Sequence, residues 1–203
     1  MNIFILQKDI HMNKTRLEAF SDGVLAIIIT IMVLEIKVPH GTDWSELIQL
    51  LPVFFSYVIS FLLVGIYWGN HHHLLHTLKR VDSRIILSNL NLLFWLSLVP
   101  FATGWMGENH FAPNTIIVYS ALLICCGLSY AILQNIIIKS GYAQTEFTDA
   151  LRKQNKKVLF SFLADLIAIP LAYVNPILSG VLLTLQSLIW LIPDKNIEAA
   201  LKK

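Results

Sequence analysis

Four polar side chains stand together at the head of an otherwise apolar run: Arg16, Glu18, Ser21 and Asp22. Behind them comes a stretch of Ile, Val and Leu broken by one hydroxyl, Thr30, and closed by Glu35 and Lys37. An ionisable group in or beside a membrane segment costs several kcal/mol if left unpaired, so it carries a task by default. Two other groups have chemical potential. His71, His72, His73 and His76 are crowded together, with His72 and His76 on one helix face. Asp165 lies alone inside a later apolar run and needs a partner for the same reason.

The chemistry these residues exclude narrows the field. No phosphate loop, nucleophile elbow or pair of intramembrane carboxylates at catalytic spacing occurs, so no enzyme is expected. The histidines lack a nearby acid, and Asn70 and Leu74 occupy the flanks where a His-Glu-x-x-His helix would differ. That pattern favours a polar cap at the helix end, or a bond to Asp22, over a metal site. Cys125 and Cys126 are adjacent, which suits neither an ordinary disulfide nor a zinc site, and they read as small core residues. No cofactor is expected. Histidine near its ordinary pKa would give any transport activity a pH dependence.

The elements that must position these residues are membrane helices. The chain has 203 residues, 56% of them hydrophobic, and a mean hydropathy of +0.65. A span needs roughly 20 apolar residues to cross a core about 30 Å thick. Six windows qualify or nearly do: 17–38, 48–69, 85–104, 114–138, 158–174 and 177–193. The last two are short. None alternates apolar and polar residues as a barrel strand does. The expected fold is therefore an all-α integral membrane protein of six transmembrane helices over 16–194, with tails at 1–15 and 195–203. Pro170 should kink the fifth helix, and Asn175-Pro176 should make the tight turn into the sixth. The N-terminal dozen has no small-residue cleavage site and reads as a tail, and Met12 is as good a start as Met1.

Basic residues give the orientation. They gather before the first helix (Lys8, Lys14, Arg16), after the second (Lys79, Arg80, Arg84), after the fourth (Lys139, Arg152, Lys153, Lys156, Lys157) and after the sixth (Lys195, Lys202, Lys203). The other loops hold only Lys37. Both termini are thus expected in the cytoplasm of a cell-membrane protein. Basic residues spread over four membrane-flanking segments make no nucleic-acid site.

Helix one repays angular bookkeeping. At about 100° per residue, Gly23, Ile27, Thr30, Ile31 and Leu34 share one stripe, and Asp22 faces elsewhere. Two readings stand. The stripe faces lipid or other helices, with Thr30 bonded to its own backbone at i−4. Alternatively, several copies surround an axis and form a hydrophobic constriction that gates by dewetting.

Arg16-x-x-x-Phe20-Ser21-Asp22, followed by an Ile/Leu-rich helix, resembles the signature of the transmembrane protein 175 family. These are endo-lysosomal potassium channels and their bacterial and archaeal relatives. Trp68 with the histidines after it, Asn89, Leu98-Val99-Pro100-Phe101 and Trp190-Leu191-Ile192-Pro193-Asp194 add to the likeness. The chain carries one copy of the motif, and the resemblance implies a homotetramer whose first helices line a central pore permeable to potassium. It places the constriction at Ile27, the threonine linked to potassium preference at Thr30, and the next apolar layer at Leu34, with Ile31 completing a layer. It also implies that no backbone-carbonyl filter is used, and no Thr-Val-Gly-Tyr-Gly stretch occurs here.

The same resemblance makes Arg16, Phe20, Ser21 and Asp22 part of a brace with Trp68, Asn89 and a histidine, either His72 or His73. Arg16 either joins it or snorkels to the interface. Glu35 is either a pore-mouth ring that concentrates cations or half of a local pair with Lys37. The expected partners are potassium ions, the lipid bilayer and further copies of the chain. The rival function is a secondary transporter coupled to protons or other ions through Asp22, Asp165 and the histidines, although helix one is unbroken and no internal repeat is visible. A membrane scaffold without transport is the third reading.

Overall fold

The computed structural model describes residues 13–142 and 155–191. The N-terminal dozen, most of the basic loop after the fourth window, Ile192-Pro193-Asp194 and the C-terminal tail lie outside the described residues. Every regular element among those described is helical.

Helix α1 is Lys14–Leu34, α2 Trp44–Gln49, α3 Leu51–His76, α4 Ser83–Ser97, α5 Val99–Glu108, α6 Pro113–Ser140, α7 Asn155–Val174 and α8 Pro176–Leu188, followed by a 3-10 turn at Ile189–Leu191. Local chemistry sets these limits. Asn13 starts α1 by accepting the Thr15 N–H at 3.1 Å. Asp82 starts α4 by accepting from Ile85 N at 3.0 Å. That backbone bond, with the Arg84 guanidinium beside it, holds the Asp82 carboxyl below the usual carboxylate range. Asn175 accepts from Leu178 N at 3.1 Å, with Pro176 at the first position of α8, so the expected turn lies there. Gly141, at φ 68°, closes α6 in the left-handed region.

Pro100 explains why one predicted helix becomes two. It has no N–H to continue the ladder, and α4 gives way to α5 at Leu98. The two still make one apolar run from Ser83 to Glu108. With α1, α3, α6 and the Lys157–Val174 part of α7, that makes five described stretches long and apolar enough to cross a membrane. The sixth window has only 13 α-helical residues, Pro176–Leu188. Helix α3 runs past the 48–69 window and continues through the histidines to His76. The Pro170 position lies inside α7, which runs through it as helix.

Packing is layered. Helix α1 lies against α3, α4 and α5, while α6 packs on α4, α5 and the α7–α8 hairpin, whose second helix also meets α3. The core runs from Leu17, Leu25, Ile28 and Met32 of α1 through Ile85, Leu92 and Leu96 of α4 to Ile116, Leu133 and Ile137 of α6. A buried hydroxyl chain ties three helices together. Thr103 lies 2.7 Å from Ser60, and Ser60 lies 2.9 Å from the Tyr119 hydroxyl.

Helices α5 and α3 approach closely at Gly107. A Cβ there would stand 2.7 Å from the Val53 Cα and 2.4 Å from the Ser56 Oγ. Gly107→Ala must push α5 off α3, and overpacking of this kind costs about 1–3 kcal/mol. The expected outcome is a clear drop in the thermal unfolding midpoint of the detergent-solubilised protein. Gly104→Ala is the milder control, because its methyl would meet only the flexible Glu35 side chain, at 3.2 Å.

Candidate functional site: the first helix and its supports

Helix α1 has two unlike faces. Leu17, Ser21, Leu25, Ile28 and Met32 are buried against the body of the chain. The stripe marked out by periodicity looks the other way: Ile27 is 57% exposed, Ile31 42%, Leu34 77%, and Thr30 and Gly23 are exposed too. These fractions decide one point. Within a single chain the stripe is left largely uncovered, so what covers the rest of it comes from outside the chain. Beside it, α1 and α5 leave a groove of about 560 Å³ walled by Ile27, Ile31, Glu35, Phe101 and Trp105.

Thr30 donates its hydroxyl proton to Ile27 O at 2.9 Å, an i−3 bond instead of the i−4 bond expected. With its proton spent on the helix, the oxygen has only lone pairs to offer whatever approaches.

The buried face is fastened by two polar connections. Trp68 Nε1 donates to Asp22 Oδ1 at 2.9 Å, linking α3 to α1. More deeply, His71 Nε2 lies 2.6 Å from Asn89 Oδ1, Asn89 Nδ2 donates to Ser21 Oγ at 2.9 Å, and Ser21 Oγ donates to Leu17 O at 2.8 Å. Since Asn89 Oδ1 can only accept, His71 carries its proton on Nε2. Each member therefore donates to the next, and three helices are joined through side chains that are all buried.

The histidine expected in this brace was His72 or His73; the bonded one is His71. The reason is rotation about the axis of α3. At about 100° per residue, His71 falls in line with Ser60, Val64, Tyr67 and Leu75, whereas His72 and His73 are rotated off that line. His72 is exposed and lies along Trp68, with ring centres 6.1 Å apart, and His73 meets the His72 ring edge-on. A continued heptad through the histidines was the signal that identifies His71. Phe20, 53% exposed, and Arg16, also exposed, stand outside the bonded brace. Lys14 instead ties the start of α1 to the end of α3 by donating to His76 O.

At the other end of α1, Lys37 pairs with Glu108 of α5 and not with Glu35. Glu108 raises the Lys37 amine above its ordinary value. Glu35 lies over Gly104, beside the groove. Asp165, whose partner the sequence left unnamed, accepts from Gln186 Nε2 of α8 at 3.1 Å.

Relatives of known kind resemble this chain in sequence and fold. Residues 16–100, which carry all the brace residues, match the sequence profile of the family described as "Endosomal/lysosomal potassium channel TMEM175". A protein of Chryseobacterium sp. named as a potassium channel is 48% identical over 192 residues, covering 95% of this chain and 100% of that one. A Danio rerio protein named as the endosomal/lysosomal proton channel TMEM175 is 28% identical over 134 residues, 63% of this chain but 25% of its own. The crystal structure of a lysosomal potassium-selective channel TMEM175 homologue from Chamaesiphon minutus superposes with a TM-score of 0.77 at 28% identity, covering 87% of this chain and 95% of that one. A braced first helix, an uncovered apolar stripe and near full-length likeness to such a channel lead to one assignment: the chain is a multi-pass membrane protein of the TMEM175 family, a family of cation channels and not of enzymes.

Proposed function

We propose that this protein is a potassium-preferring cation channel of the cell membrane, formed by four copies with both termini cytoplasmic and α1 of each copy lining the pore. One observation carries the reading. The stripe of Ile27, Thr30, Ile31 and Leu34 is uncovered in the chain while the opposite face of the same helix is bonded and packed. A helix held so firmly on one side and bare on the other presents a fixed surface to its neighbours and to the conduit they enclose.

The chemistry of that surface suits cations. Apolar rings at Ile27, Ile31 and Leu34 make a passage that wets poorly and opens or closes with small changes in radius. Thr30 puts a hydroxyl oxygen in the midst of these rings with its proton turned inward to Ile27 O. A ring of such oxygens replaces part of a cation's hydration and offers no donor to an anion. Selectivity by a single hydroxyl ring is weaker than by a carbonyl cage, so potassium preference with sodium leakage is the expected behaviour. Glu35, near the end of the stripe, adds negative potential at the mouth.

Reconstitution into planar bilayers tests the reading. Unitary current steps that reverse towards the potassium equilibrium potential are expected. Thr30→Val keeps the shape and removes the oxygen, and should lower the K+/Na+ permeability ratio several-fold while leaving assembly intact. An unchanged ratio would remove Thr30 from the selectivity step, and saturable flux coupled to a proton gradient would replace the channel with a carrier. Proton currents of similar size to potassium currents would overturn the potassium preference while keeping the pore.

A further inference from the structure

Away from α1, the helices α3, α6, α7 and α8 enclose a cavity of about 320 Å³. Its walls are mostly aliphatic and aromatic, with Tyr67, Phe162 and Trp190 among them. One charged residue reaches it: Asp165, 5% exposed, whose hydrogen-bond donor is the Gln186 amide. No cationic side chain pairs with Asp165 among the described residues. Its other carboxylate oxygen has no bonding partner there, yet no buried side-chain oxygen is left unsatisfied, so that oxygen opens onto the cavity.

Depth matters here. Asp165 is midway along Asn155–Val174, about 15 Å from either end at 1.5 Å per residue. That is the middle of a hydrocarbon core about 30 Å thick. A carboxyl buried in such a place is ionised only beside a positive partner and otherwise holds a proton, so a bound cation is what would bring out its charge. A phospholipid headgroup cannot supply that cation, because headgroups stay at the interface. A hydrated inorganic cation suits the apolar walls poorly. What fits the shape, the charge and the route of entry is a small lipophilic amine that reaches the site through the membrane and binds as its ammonium.

We propose that this cavity is a binding site for small lipophilic ammonium compounds, with the Asp165 carboxylate as counter-charge and Tyr67, Phe162 and Trp190 as the apolar and cation–π walls. Aromatic faces stabilise a desolvated cation, and a cavity of this size lies at the small end of the usual ligand range of about 300–1,000 Å³. The site is separate from α1 and stands whether or not α1 lines a pore.

Tritiated amantadine, a compact apolar amine, is the probe, measured by scintillation proximity on the purified full-length protein in detergent. Saturable binding at one site per chain is expected, with 1-adamantanol, the uncharged analogue, competing at least tenfold more weakly. Asp165→Asn keeps the shape and the Gln186 contact and should weaken binding at least tenfold. Gly127→Leu fills the cavity from α6 while keeping the charge, suits a helix interior, and should abolish binding. Gel-filtration profiles check that both variants fold, and either alone decides the matter. Uptake that never saturates, equal competition by the alcohol, full binding by Asp165→Asn or full binding by Gly127→Leu would each overturn the site.

Discussion

Asn89→Leu is expected to lower the thermal midpoint, cut the yield of assembled protein and silence most current. Asn89 is the middle of a one-way chain. It accepts from His71 at 2.6 Å and donates to Ser21 at 2.9 Å. Ser21 loses an incoming bond but still donates to Leu17 O. His71 fares worse, because its Nε2–H is left buried with no acceptor. An orphaned buried donor costs about 1–3 kcal/mol, more than the net worth of the bond it lost. That asymmetry gives the sharper half of the test. Adding His71→Phe removes the orphan, so the double variant should be more stable than Asn89→Leu alone by about 1 kcal/mol or more. Strict additivity of the two changes would show that the two residues act independently, and the brace would dissolve as an idea. Asn91→Leu, which removes a bond to Ser129 between α4 and α6, does not touch α1 and should leave current amplitude unchanged at matched protein amount.

The difference between those two asparagines shows what a sequence can and cannot say. The stripe on α1 was legible because it depends on one helix and one period: Ile27, Thr30, Ile31 and Leu34 share a face whatever surrounds them. Asp22 turning from that face towards Trp68 followed in the same way, and the two are bonded. His71 was missed because the histidines were weighed against one another and not against the buried line of Ser60, Val64 and Leu75 on the same helix, which alone tells which of them turns inward. Lys37 reaching Glu108 instead of Glu35 depends on how α5 lies beside α1, which no local pattern contains. The Asp165–Gln186 pair is an intermediate case. The two residues are equally distant from the Asn175-Pro176 turn, as are Ser161 and Trp190, whose indole donates to the serine at 2.7 Å. A tight hairpin folds such positions onto each other, so the turn that was anticipated already implied the partner. The Pro100 break and the Gly107 contact were invisible for a different reason: a proline or glycine inside an apolar run can mark a break, a close approach or nothing, and only the neighbouring helix distinguishes them.

Ile27→Asn should raise unitary potassium conductance by about tenfold. An apolar ring forces a permeating ion to shed water with nothing offered in return, so the barrier there is largely lost hydration. An amide of similar size returns roughly 1 kcal/mol for each hydrogen bond made. In the proposed assembly of four copies, two such contacts suffice to lower the barrier by about 1.4 kcal/mol, the equivalent of tenfold in rate. The K+/Na+ ratio should fall together with the barrier, because a wider hydrated opening leaves less for the proposed Thr30 ring to discriminate. The control is Val33→Asn. Val33 is 45% exposed, yet it is rotated about 100° from the centre of the stripe, so it faces lipid or a neighbouring helix if Ile27 faces the conduit. An asparagine there should reduce membrane expression without altering the conductance of the channels that do assemble. If instead the two variants behaved alike, or Val33→Asn raised conductance while Ile27→Asn only impaired insertion, the stripe would be a lipid-facing surface and the ion route would lie on another face of α1 or on another helix.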